Sequence, residues 1–212
     1  MLGAVSAFKA YDIRGIAGED ITTDFSRRLG RAIVEFAQAT SIAVGRDIRS
    51  SGESLKAALI QGIVESGCTV VDLGIVPTGV VYRSTVDLNV DCAVAITASH
   101  NPPEYNGFKI VHKGLPVAGE DLQRLKAIYE SPDQGKANSP GTILSMSEYH
   151  HTVIDAIVQD VGPLARRVSV AVDSANAVPG PFIMELCDKL GVDLVDLNLS
   201  LIHISEPTRR SV

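Results

Sequence analysis

The apolar run Asp91-Cys-Ala-Val-Ala-Ile96 gives way at Thr97-Ala98 to Ser99, His100 and Asn101, followed by Pro102 and Pro103. A serine hydroxyl beside an imidazole is a candidate nucleophile, because an adjacent base or cation activates a group that is otherwise weak. Asn101 ahead of two prolines favours a fixed turn, which would hold the hydroxyl in one direction. The plainer reading is a turn whose side chains bond nearby backbone. On these residues alone both stand.

Other chemistry-bearing residues are less suggestive. Cys68, Cys92 and Cys187 are isolated, form no CxxC pair and lie in apolar patterns, so they read as small buried hydrophobes in a reducing compartment. His112, His150 and His151 show no acidic or Cys partner at metal-ligand spacing and read as ordinary residues. No GxGxxG or GxxxxGK[ST] loop supports nucleotide binding. In VGRDIRSSGESL, Ser50 or Ser51 is placed to cap the following helix, and Arg46 with Asp47 to pin the loop.

The elements that must present Ser99 follow from periodicity. DFSRRLGRAIVEFAQ has helical apolar spacing behind a Thr cap, and SIAVGRD reads as a strand. SGESLKAALIQGIVESG with TVVDLGIV repeats the unit, and PTGVVYRSTVDLN with CAVAIT makes a third pair. Helices alternating with doubly buried strands predict a mostly parallel sheet covered on both faces. In such sheets ligands bind beyond the carboxyl ends of the strands, where Ser99 falls.

GFKIVHKGLPV reads as a hairpin-like extension and GEDLQRLKAIYES as an amphipathic helix, which completes a domain over residues 1–130. Residues 131–146, rich in Pro, Gly and Ser, are expected to be a linker or long surface loop. Residues 147–198 repeat a helix-strand-helix-strand pattern too short for a closed sheet, so a second α/β domain is expected to be incomplete. Residues 199–212, LSLIHISEPTRRSV, continue neither period and resemble a sequencing-adapter read-through peptide; they are expected to be non-native.

The 212 residues are 45% hydrophobic and 21% charged, the ordinary globular range. A net charge of -6 without a Lys/Arg block argues against nucleic-acid or anionic-membrane surfaces, so an anionic ligand must be met by a few placed cations. With no signal-peptide pattern and no apolar run of membrane-spanning length, a cytoplasmic location is expected.

The longer string narrows the choice at Ser99. T-A-S-H-N-P followed by Y-N-G-F-K resembles the phosphoserine loop of the α-D-phosphohexomutases, and the N-terminal AFKAYDIRG resembles the opening of their phosphomannomutase/phosphoglucomutase branch. VGRDIRSSGESL also matches the family's first domain, and VAVDSANAVPG its second, although Ser174, Ala175 and Asn176 stand where the family more often has Gly-Asn-Gly.

The resemblance covers residues 8 to about 198. It implies a three-layer α/β/α domain with a mostly parallel mixed sheet, then a partial second domain. It implies an enzyme that interconverts the 6-phosphate and 1-phosphate of mannose or glucose through a hexose 1,6-bisphosphate. Ser99 would carry the phosphoryl group and ligate Mg2+ through it, with His100 and Lys109 near the transferring group and Lys109 as general acid or base. A lysine in that role needs its pKa lowered by burial or neighbouring charge.

Arg14 and Asn101 would bind phosphate and Tyr11 would face the substrate. The partners are small hexose phosphates. The family's Asp-Gly-Asp-x-Asp-Arg magnesium loop does not occur in these residues, so the chain by itself is expected to be nearly inactive. A non-catalytic sugar-phosphate or partner-binding module, and a phosphatase using Ser99, are the rival readings.

Overall fold

The computed structural model describes residues 6–132 and 137–199. They fall into two compact units divided between Ser147 and Glu148. The first contains β1 (Ile13–Ile16), α1 (Thr23–Ala37), β2 (Ser41–Arg46), α2 (Gly52–Glu65), β3 (Thr69–Ile75), α3 (Thr78–Asp87) and β4 (Cys92–Ile96). Then come β5 (Tyr105–His112), β6 (Leu115–Pro116), α4 (Gly119–Glu130) and β7 (Ile143–Ser145). The sheet order is β1-β5-β4-β2-β3-β7, with β6 paired to β5. β4, β2, β3 and β7 run parallel, while β5 is antiparallel to both β4 and β1.

Alternation along the strands separates the two faces. Ile42 and Val44 of β2 and Cys92, Val94 and Ile96 of β4 join one core with Phe25, Leu29 and Ile33 of α1, Leu59 and Ile63 of α2, and Leu122 and Leu125 of α4. The intervening Ala43, Gly45, Ala93 and Ala95 are small, and a side chain at Gly45 would run into Val81 of α3, which covers that face. A three-layer α/β/α arrangement results. Helix ends follow the expected signals: Thr22 Oγ1 accepts from Phe25 N at 3.1 Å, and Gly67 takes a positive φ of 80° after α2.

One expectation differs from the structure. Residues 143–145, inside the segment read as linker, pair with β3 as the edge strand β7. They are three exposed residues in a Pro/Gly-rich stretch, too short to show a period. Residues 133–136 of that segment lie outside the described residues.

The second unit contains α5 (Tyr149–Val161), β8 (Ser169–Val172), α6 (Pro179–Leu190) and β9 (Asp193–Asp196), with β8 parallel to β9. Where the family more often has Gly-Asn-Gly, Ala175 and Asn176 of this chain adopt φ of 50° and 55°. Ala175 N donates to Asp173 Oδ1 at 2.8 Å and Asn176 N to the Asn198 carbonyl at 2.8 Å, which hold that left-handed turn. Of the expected non-native tail, Leu199 is buried and its N–H donates to Asp196 Oδ1. Residues 200–212 lie outside the described residues.

Candidate active site

β4 ends at Ile96 and β5 begins at Tyr105, so residues 97–104 connect two antiparallel neighbours at the carboxyl end of the parallel strands. The connection is tightly turned. Ser99 has φ 57°, its N–H donates to Thr97 Oγ1 at 3.0 Å, and both the backbone and the side-chain amide of Asn101 donate to the Ala98 carbonyl, at 3.2 and 2.7 Å. A non-glycine residue in this region is worth about 1–2 kcal/mol of strain and persists only where neighbours over-determine it. The turn leaves Ser99 exposed, with Oγ 2.9 Å from His100 Nδ1. With Nδ1 unprotonated, the imidazole accepts the hydroxyl proton.

A second group is built by β1 against β5. Arg14 stands opposite Gly107, where a Cβ would overlap the Ile13 carbonyl oxygen, so the Asn-Gly of YNGFK lets β1 approach. The nearly buried Asp12, 6% exposed, holds two cations: Arg14 Nε at 2.9 Å from Oδ1 and Lys109 Nζ at 2.8 Å from Oδ2. The charged partner of Lys109 is thus a carboxylate. Tyr11 is 81% exposed, and among the described residues no hydrogen bond or ring contact ties its side chain to either group.

Three roles read from sequence change. Ser51 precedes α2 without a side-chain cap bond, and its hydroxyl instead accepts from the fully buried Asn106 Nδ2 at 2.8 Å. Arg46 bonds Glu53 at 2.6 Å and the backbone carbonyl of Asp47, while the Asp47 carboxylate goes to Arg49. Arg49, singled out by nothing in the sequence, donates to the carbonyls of Ser99, Asn101, Pro102 and Tyr105.

His150 and His151 do meet acidic groups. His151 Nδ1 lies 2.8 Å from Glu185 of α6 and Nε2 lies 2.9 Å from Glu148, and these carboxylates raise the imidazole pKa above its ordinary value. The contact to α6 lies 34 residues away in the chain, outside any local spacing. Lys189 also pairs with Glu185, at 2.9 Å. The cluster is an ion-pair network between two helices.

Burial pushes the Cys68 and Cys92 thiols up to about 12, which excludes them as nucleophiles. The site around Ser99 is an open surface: neither the hollow of about 580 Å³ beside Phe36 and Arg124 nor that of about 430 Å³ beside Thr22 and Ser54 includes it.

Residues 5–136 match the model of the phosphoglucomutase/phosphomannomutase alpha/beta/alpha domain I. The chain belongs to this family. Relatives in the phosphoglucomutase/phosphomannomutase family include a phosphomannomutase/phosphoglucomutase of Pseudomonas aeruginosa, 39% identical over 196 residues, which are 91% of this chain and 41% of the relative. A phosphomannomutase of Escherichia coli is 34% identical over 206 residues, 94% of this chain and 45% of the relative. The crystal structure of a phosphoglucomutase/phosphomannomutase family protein from Burkholderia thailandensis superposes with a TM-score of 0.85 at 34% identity, covering 92% of this chain and 44% of that one. The chain therefore spans less than half the length of these family members.

Among the described residues, two carboxylates near the loop are already committed to cations. Octahedral oxygen coordination commonly draws on more than one carboxylate, whereas Asp12 is taken by Arg14 and Lys109 and Asp47 by Arg49.

Proposed function

We propose that the parent protein is a phosphohexomutase that interconverts mannose or glucose 6-phosphate and 1-phosphate through phosphorylated Ser99 and a hexose 1,6-bisphosphate. The observation that carries this is Ser99 Oγ held 2.9 Å from His100 Nδ1 on a strained turn at the carboxyl end of β4, in a chain of this family. In one half-reaction a sugar hydroxyl oxygen attacks the phosphoserine phosphorus, the P–Oγ bond breaks as His100 gives its proton to the departing Oγ, and the hydroxyl proton passes to Lys109 in its neutral amine form. In the other, Ser99 Oγ attacks a phosphate of the bisphosphate, His100 takes the serine proton, and Lys109 returns one to the departing sugar oxygen. Arg14 and Asn101 bind phosphate, and Tyr11 faces the sugar. Catalysis of this kind rests on positioning and positive charge, which Arg14 supplies throughout and Lys109 once it is protonated.

Magnesium belongs to the parent enzyme, with carboxylate ligands that these residues do not bring to Ser99. The free, buried thiols suit a cytoplasmic location. The test is to incubate the parent enzyme with labelled hexose 1,6-bisphosphate. Label on the Ser99 peptide, lost in Ser99→Ala, supports the mutase. Binding without label favours a binding module, and net release of inorganic phosphate favours a phosphatase.

A further inference from the structure

We infer that Arg49 is the positioning residue of Ser99: its guanidinium fixes the turn that aims the hydroxyl. The catalytic consequence rests on the mutase reading, whereas the conformational one stands on geometry alone. A guanidinium carries five N–H donors in a rigid plane, and all five are used here. Nη1 donates to the Pro102 carbonyl at 2.7 Å and the Tyr105 carbonyl at 2.9 Å. Nη2 donates to the Ser99 carbonyl at 2.9 Å and the Asn101 carbonyl at 2.8 Å. Nε donates to Asp47 Oδ2 at 3.2 Å, and Asp47 Oδ1 accepts the Arg49 backbone N–H at 3.0 Å. Asp47 is itself anchored to the sheet, its N–H donating to the Ile96 carbonyl at 3.0 Å.

The local bonds from Thr97 Oγ1 and Asn101 Nδ2 close the turn upon itself, within residues 97–101. They do not set its direction relative to the sheet. Pro102 and Pro103 offer no N–H to anchor the return leg. At the far end of that leg the Glu104 carbonyl accepts from Ala17 N at 2.8 Å, and Arg49 supplies the anchor next to the prolines, holding both legs from one side chain that is only 12% exposed. It bonds the Ser99 carbonyl rather than the hydroxyl, so it acts through the backbone. A lysine has three donors around one point and cannot span four carbonyls.

The test uses Arg49→Ala and Arg49→Lys with two readouts. In the 212-residue chain, hydrogen exchange at the Asn101 and Tyr105 amides, both hydrogen-bonded within the loop, should speed up in each variant while β2 and β3 amides keep their protection. In the parent enzyme, kcat for hexose phosphate interconversion should fall by about 100-fold or more, since a misplacement near 1 Å costs that much. KM should stay within about threefold, and added guanidinium ion should restore part of kcat in Arg49→Ala but not in Arg49→Lys. Unchanged loop exchange overturns the inference. So does a fall in kcat that tracks global unfolding and resists guanidinium rescue. If the wild-type parent forms no phosphoserine, the mutase reading fails and the exchange result alone decides the role of Arg49.

Discussion

Asp12 is a carboxylate withdrawn from water and shared by Arg14 and Lys109, which enter from β1 and β5. Replacing it with asparagine keeps the volume and removes the charge that holds both cations. Asp12→Asn in the parent enzyme is therefore expected to lower kcat by about 10²-fold, the low end for losing an oriented acid-base group. The cations are 40% and 27% exposed and can rehydrate, so the melting curve should register a stability loss of only about 1–2 kcal/mol. A kcat within threefold of wild type would remove Asp12 from the mechanism. The contact of Ser99 with His100 was legible in the sequence because hydroxyl and imidazole are neighbours, with the turn chemistry written beside them. The link from Asp12 to Lys109 was not, because 97 residues separate the partners. Arg49 was hidden for a different reason: its partners at residues 99–105 are carbonyl oxygens, which leave no mark in side-chain identity.

Helices α1 and α2 approach closely through two glycines. A Cβ at Gly62 would overlap the Arg27 carbonyl oxygen, and one at Gly30 the Leu59 carbonyl oxygen. Gly62→Ala gains up to about 1 kcal/mol of helix propensity but must push the helices apart, so a net loss of about 1–3 kcal/mol is expected in urea unfolding. A more stable variant would contradict the packing. Above this contact Arg27 and Arg31 of α1 both bond Glu65 of α2, and the hydrogen bond from Arg27 is the main cause holding its carboxyl down at about 2. A depressed carboxyl contributes stability that is fully present above its ordinary value near 4.5 and fades as pH falls through about 2. The penalty of Glu65→Gln should accordingly be largest above pH 5 and shrink towards pH 2, read from melting temperature against pH. These helices were legible from apolar spacing, caps and the closing Gly67. The exposed strand β7 was not, since its place depends on the edge of β3 rather than on its own residues.

The first unit carries both the Ser99 loop and the Asp12-held pair of cations, and Ser99 and His100 are exposed to water. Phosphoryl transfer depends on a sugar held in line with the phosphorus and on water kept out, and the chain spans only 41% of the Pseudomonas aeruginosa relative. Residues 1–212 should show no more than trace mutase turnover in a coupled hexose phosphate assay, and a rate comparable to a full-length mutase would refute that. The second unit poses a different problem. Parallel strands are ordinarily covered on both faces and flanked by neighbours, but among the described residues β8 and β9 pair only with each other, and Val195 and Leu197 are 52% and 55% exposed. Two outer ladders of unmet amides and carbonyls beside apolar side chains form a template for another strand. Concentrating this chain in a test tube would invite copies to zip together through β8 and β9, so its elution from a sizing column should move with concentration.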